Sequence, residues 1–460
     1  MSPERFLSWL RAQKWSVPFV LLMAIGFLAR PVAPWIVRIV PLVSIVAYLV
    51  WLVAGLPTRV KNWLVALAAV AFVCNLAVVL VQSHRYDAAS QTLWLDDHIY
   101  YLEAESLAAA WKTGFYPDIT RAGTRPYMGT LHVDFQRSLA GLFYLFGPST
   151  LTGLILNVFC NSLLPVCTAL FVWLIYRNRN DRNLANWTEP ELAATLAALL
   201  ATYHPQQFYW GHLLLKDCYT ACWFLTALVL AIAAVAQRSA LATLLFAAAL
   251  GHLFQTRVYA ALAVFGGFAA YFLILIPRRA ALWLTFSGIL MIYLLANYSD
   301  APARLISQLS ASIGALLPHA EEGPLKVLMH LVAAVPRMLL ASYAWVPAYS
   351  SAVPLYGVYG GMWFLYILVY PAALNGLLRT LRLNIPLSSI PIVAVVLGFS
   401  VLMTSVHGGV ANRQRLFMEY VAIGFAGYGY VAPNRKIFLI YYASLLMYII
   451  GHLITVMIRF

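Results

Sequence analysis

The chain has 460 residues, of which 63% are hydrophobic and 10% charged, with a formal net charge of +14. Charged residues must cover a water-facing surface, so this balance (mean hydropathy +0.79) excludes an ordinary soluble domain. The basic residues fall in short clusters between apolar runs, which argues against a nucleic-acid partner and fits loops on the inner side of a membrane, near anionic lipid headgroups.

Apolar runs of roughly 17–22 residues are long enough to cross the hydrocarbon core. About thirteen are predicted, on 18–30, 36–56, 63–82, 150–176, 191–204, 213–236, 239–256, 258–276, 281–297, 355–376, 386–406, 416–432 and 438–457. The expected fold is therefore an all-α, polytopic membrane protein. The opening MSPERFLSWLRAQKW is basic and no convincing small-residue cleavage site follows, so a retained first anchor is predicted. With the N-terminus inside, the inner connections carry Arg59 and Lys61; Arg177, Arg179 and Arg182; Arg238; Arg278 and Arg279; Arg379 and Arg382; and Arg435 and Lys436. One orientation satisfies the whole chain. The five cysteines lie in or beside predicted spans without a CxxC, and read as free thiols.

Two long segments, 83–149 and 298–354, fall on the opposite face and are expected to form re-entrant or interfacial helices. The first contains WLDDHIYYLEAESLAAAWKTGFYP at 94–117. Ile99, Leu102, Ser106, Leu107, Ala110 and Trp111 recur at helical spacing and are expected to share one face, with Asp97, Tyr101 and Glu105 on another. Gly114 and Pro117 are stop signals. The stretch is too polar to span a bilayer and amphipathic enough to lie on one.

Its N-terminus carries Asp96 and Asp97. The pair reads either as a helix cap with a first-turn acid, or as a general base or the ligands of a divalent cation such as Mg²⁺ or Mn²⁺. A cap needs only one acid, which favours function. Other polar residues gather on the same side: His204, Tyr209, His212, Lys216 and Asp217; Gln255 and Arg257; His319, Glu321 and Glu322; His407, Arg413 and Arg415. Charge at membrane depth is costly, so this convergence points to one outward-facing site.

Lys216 and Asp217 read either as an ion pair near a helix end or as a cation for a lipid-linked phosphate with an aspartate holding it. Arg257, Arg413 and Arg415 are either headgroup anchors or phosphate ligands. The histidines lack metal-ligand spacing and read as interfacial polarity. Glu103 and Glu105 are expected to face solvent, with Glu103 alternatively supporting the acidic pair. Tyr100 and Tyr101 fit an interface belt or sugar stacking.

The order and spacing of these stretches resemble the C-type, multi-spanning glycosyltransferases that use polyprenyl-phosphate sugars, the superfamily of the protein mannosyltransferases, aminoarabinose transferases and oligosaccharyltransferases. LDDHIYYLEAESLAAAWKTGFYP resembles their first outer loop: Asp96 and Asp97 match the acidic pair, Tyr100 or Tyr101 the aromatic, and Gly114 the terminus. Residues 139–177 resemble the Leu-Phe-Gly turn and its following span, and ALLATYHPQQFYWGHLLLKDCYTACWFL a later Pro, aromatic and Lys-Asp segment. HGGVANRQR resembles an Arg-rich outer loop, whereas the Lys-Pro-Pro of the aminoarabinose type is absent from 121–137.

The resemblance implies a core over 63–297 that includes the outer loop 83–149. Residues 1–62 are then additional N-terminal helices, and 298–460 the second outer loop and C-terminal helices. It also implies that Asp96 is the catalytic acid, with Asp97 beside it. The expected activity transfers a sugar from a polyprenyl-phosphate donor to an envelope glycan, lipid or protein, on the outer face of a bacterial inner membrane. Lys216, Arg257, Arg413 and Arg415 are then the candidates for the donor phosphate, with Asp217, Tyr100, Tyr101, Glu103 and His212 supporting. The competing readings are a polymerase or ligase of lipid-linked oligosaccharide, and a lipid-linked sugar transporter.

Overall fold

The computed structural model describes residues 36–85, 95–115, 133–178, 183–184, 187–205, 214, 216–275, 363–405 and 416–459. Within these the chain is all-α apart from one two-stranded antiparallel hairpin, β1 (Asn183–Leu184) and β2 (Trp187–Thr188). The N-terminal half supplies α1 (Ile36–Ala54), α2 (Thr58–Arg85), α3 (Leu95–Lys112), α4 (Val133–Phe146) and α5 (Thr150–Tyr176). After the hairpin come α6 (Glu189–Thr202), α7 (Lys216–Gln237), α8 (Ala240–Thr256) and α9 (Val258–Leu275). The C-terminal part holds α10 (Tyr370–Arg382), entered through a π-helical turn at Leu365–Val369, then α11 (Ser389–Ser405), α12 (Leu416–Val431) and α13 (Arg435–Arg459).

Among the described residues, three helices are long and apolar enough to cross a membrane: α2 over Thr58–Val81, α5 and α7. Shorter apolar stretches lie in α1, α8, α9, α11 and α12. The all-α expectation holds among the described residues, where three helices, against about thirteen expected over the chain, reach spanning length and apolarity. The predicted spans 18–30 and 281–297, and the outer segment 298–354, lie outside the described residues.

The bundle is built around α7, which packs against α5, α8, α9, α11 and α12. Every residue from Lys216 to Ala234 is buried. The outer helices carry the opposite pattern. Trp63, Val65 and Val73 on α2 and Leu439, Ile440 and Met447 on α13 are large, apolar and exposed. In water such surfaces promote association; in a bilayer they are the lipid-facing side.

Helices in hydrocarbon gain nothing from hiding apolar surface from lipid, so close backbone approach must hold them together. Small residues provide it. Ala193 and Ala197 of α6 lie under Gly427 of α12, and Gly376 of α10 meets the backbone of Phe425 and Gly429. Asn161 Nδ2 donates to Asn75 Oδ1 at 3.2 Å, tying α5 to α2 in their apolar stretches.

The helix ends follow local chemistry. Gly114 adopts φ +76° just past α3, and the Phe115 N–H closes on the Ala110 carbonyl at 3.0 Å, so the predicted stop is a left-handed glycine cap. Gly147, at φ +86°, ends α4 in the same way. Ser149 then caps α5, its hydroxyl accepting from the Thr152 N–H at 3.0 Å.

One end of the bundle collects basic side chains from the predicted inner connections. The Arg177 guanidinium donates to the Ala236 carbonyl, and Arg59 lies 5.1 Å over the Trp187 ring. Arg379 donates to the fully buried Glu189 at 2.8 Å and lies 4.5 Å over Tyr428. The other end holds the start of α7. Its 22 residues separate the two ends by about 33 Å.

Crowding at the glycine contacts gives the first prediction. Gly376→Val and Gly429→Val each push a side chain into a neighbouring backbone, and are expected to cost about 1–3 kcal/mol. Gly251→Ala, where a Cβ meets nothing within 4 Å, is expected to be neutral or to stabilise by about 0.5–1 kcal/mol. Unfolding in detergent, followed by thermal shift, measures both.

Candidate functional site

Lys216 and Asp217 open α7 and are nearly inaccessible to solvent. The sequence leaves open whether they pair with each other; the structure gives each a different partner. Asp217 Oδ1 accepts from the Arg257 guanidinium at 3.0 Å. The Lys216 ammonium donates to the Tyr100 hydroxyl and lies 5.0 Å from the centre of that ring. Arg257, placed between α8 and α9, is itself buried and lies 5.7 Å over Tyr259. Burial works against its charge, but Tyr259, Asp217 and Tyr100 outweigh that, and its pKa rises above the usual arginine value. Four residues from three separate stretches thus form one polar cluster.

Helix α3 forms the roof of this cluster, and its packed face differs from the one expected. Tyr100, Ala104, Leu107 and Ala108 are buried against α4, while Leu102 is exposed. The reason is the tyrosine. With its ring 5.3 Å from Phe135 and its hydroxyl on Lys216, Tyr100 turns inward and rotates the helix so that Leu102 faces out. Tyr100 is therefore a core residue and not part of an interface belt.

Tyr101 points elsewhere, edge-on to Phe143 at 5.2 Å, and is no member of the cluster. Burial and then the nearby Glu105 carboxylate push its pKa up. Glu103 is half-buried and accepts from the Gln136 side chain, which corrects its expected exposure. Asp96 and Asp97 lie in the first turn of α3; their side chains are outside the described residues, as are His212, Arg413 and Arg415. No group of three His, Cys, Asp or Glu side chains able to hold a metal occurs among the described residues.

Two further pairs are absent from the sequence-level expectations. His204 is fully buried and its Nε2 lies 2.8 Å from Glu419 Oε2, joining the end of α6 to α12. It is not interfacial. Asp134, in the first turn of α4, takes the His252 Nδ1 at 3.0 Å and the Tyr219 hydroxyl at 2.6 Å. Ser138 Oγ lies 2.8 Å from that hydroxyl, which already donates to Asp134, so Ser138 is the donor. Asp134 and His252 are 118 residues apart, and neither belongs to a recognisable motif. The available signals were a first-turn acid on an otherwise apolar helix and a histidine in the last turns of another.

Phe135 connects the two networks. It stands edge-on to Tyr100 at 5.3 Å and to Tyr219 at 5.5 Å, one ring thick between the Lys216 cluster and the Asp134 group. The start of α12 reaches the same region through Phe417, 6.1 Å from Tyr259.

Apart from one short hairpin, the described residues are thus all-α, with three helices of membrane-crossing length and a buried polar cluster at the start of one of them, α7. No family model, curated protein or solved structure matches it.

The shared contact predicts strong coupling. Asp217→Asn leaves the Arg257 charge buried beside a neutral group and is expected to cost about 3–5 kcal/mol. Arg257→Met should cost a similar amount, and the double variant clearly less than the sum, when unfolding is titrated in detergent. Additive losses would mean that the pair does not act as a unit.

Proposed function

We propose that the protein is an integral membrane glycosyltransferase. It moves a sugar from a polyprenyl-phosphate donor to an envelope glycan, lipid or protein on the outer face of a bacterial inner membrane. The observation that carries this reading is the meeting of Lys216, Asp217 and Arg257 with Tyr100, a residue of the helix that opens with Asp96 and Asp97. Two cations beside a helix bearing a carboxylate pair suit an anionic leaving group and an acceptor that must lose a proton. The basic connections at the far end of α7 agree with an outward-facing site.

In this mechanism the acceptor oxygen attacks the anomeric carbon as the bond to the phosphate oxygen breaks, with inversion. Asp96 takes the acceptor proton, and Asp97 orients it. In a metal-assisted version both would be ligands of a divalent cation. Lys216 and Arg257 stabilise the departing phosphate, joined by Arg413 or Arg415 from HGGVANRQR. Asp217 holds Arg257 in position, and Tyr100 holds Lys216.

Mass spectrometry of lipid-linked sugars and envelope glycans tests the reading in cells lacking the gene. Complementation with the wild-type gene should restore a missing glycan and clear an accumulated donor. Asp96→Asn at matched expression should leave transfer about 10²–10⁴-fold lower. Lys216→Met should lower it about 10²-fold, with Lys216→Arg recovering part. Transfer of a whole repeating unit identifies the polymerase or ligase variant. Full activity of Asp96→Asn, with donor trapped on the inner leaflet in the null strain, sinks the transferase reading in favour of a transporter.

A further inference from the structure

A cavity of about 180 Å³ lies between α1, α4, α5, α7 and α8. Its wall is mostly apolar, with Leu42, Ile45, Leu142, Leu156, Phe159 and Trp223 prominent. An apolar cavity of about 150 Å³ stays dry and admits a six-carbon ring, so this one has room for a segment of hydrocarbon chain. The polar wall residues are of two kinds: His252, Tyr219 and Ser138 belong to the Asp134 network, whereas Arg137 and Thr226 are engaged by other groups.

The histidine is oriented by its surroundings. Asp134 lies behind the wall, 1% exposed, and a carboxylate can only accept from Nδ1–H. The ring stacks on Trp223 at 4.5 Å and 11°, which holds its plane. With Nδ1 donating to Asp134, Nε2 is the ring nitrogen left to meet a ligand, and that atom makes no hydrogen bond to the described residues. A largely apolar cavity wall thus ends at an oriented hydrogen-bonding nitrogen.

Gly141 is the second, independent sign of a ligand. It stands one turn beyond Ser138 in the middle of α4 and lines the cavity. Glycine is unfavourable inside a helix, and the usual excuse is close approach of another backbone. Here a Cβ would meet nothing within 4 Å. The glycine keeps the cavity open.

We propose that this cavity binds a membrane amphiphile with one hydrocarbon chain and a hydroxyl head. The chain lies over Gly141 along the α4 and α5 wall, and the hydroxyl, able to donate or accept, hydrogen-bonds to His252 Nε2. The binding goes beyond the transferase reading and does not require it. Where that reading holds, the amphiphile is a candidate acceptor, one aromatic ring away from the Lys216 cluster.

Photolabelling of the full chain in lipid nanodiscs tests this without turnover. The probe is a straight-chain primary alcohol carrying a diazirine in its chain and a terminal alkyne. Labelled peptides are expected to map to 137–145 and 156–163, and excess unlabelled alcohol should suppress labelling about tenfold, with the matching alkane far weaker. Gly141→Phe, or the milder Gly141→Leu, should abolish labelling while retaining wild-type thermal unfolding. His252→Phe, which keeps a ring against Trp223, should weaken binding about tenfold. Labelling spread over the lipid-facing residues of α2 and α13, or unaffected by filling Gly141, overturns the site. Equal competition by the alkane, or stronger competition by the alkyl phosphate, overturns the hydroxyl assignment. Loss of glycan transfer in Asp96→Asn leaves this result untouched, so the two readings fail separately.

Discussion

A lysine, an aspartate and an arginine excluded from water can be held together only if each answers the others. At the start of α7 that condition governs how the surrounding helices are arranged. Asp217 accepts from Arg257, which fixes the junction of α8 and α9 against α7. Lys216 donates to the Tyr100 hydroxyl, which ties α3 to the start of α7. Removing any member would strand a buried polar group, which is far more costly than never having built the cluster. A polar device of this kind specifies one arrangement of helices where apolar contacts alone would tolerate several.

The rest of the bundle makes that arrangement rigid. In a bilayer, association depends on contact area and not on escape from water, and here alanines and glycines form the close helix contacts. Ala193 and Ala197 of α6 admit Gly427, while Gly376 and Gly429 let α10 and α12 touch backbones. At the basic end, the Arg379–Glu189 pair and the stack of Tyr176 on Tyr428 at 3.8 Å close the same set of helices. The polar layer at the other end is therefore mounted on a frame pinned at both ends. Side chains held by packed neighbours lose little freedom when a ligand arrives.

The two polar networks differ in character. The Lys216 cluster is charged and roofed by α3, and suits an anion. The Asp134 group borders a largely apolar cavity and ends in an imidazole. Phe135 lies between them, touching both tyrosines. Its ring keeps the Asp134 carboxylate apart from the Lys216 cluster, so two chemistries persist within neighbouring turns of α4, α7 and α8.

Composition and periodicity alone determined the all-α class, the helix end at Gly114, and the alternation of basic and polar connections. These are local or summed properties, carried by run length, glycine and charge placement. Lys216, Asp217 and Arg257 were also legible as unusual residues, because charge is conspicuous in an apolar chain. Their partners were not. A Lys-Asp dipeptide reads as a pair, yet its members point to different helices, because neighbouring residues on a helix stand about 100° apart. The buried face of α3 depended on where the Tyr100 hydroxyl found a donor, which no periodicity contains. Asp134 and His252, each ordinary in its own stretch, became a pair only when α4 and α8 were packed side by side. That contact spans 118 residues and leaves no local signal, so only the tertiary structure decided it.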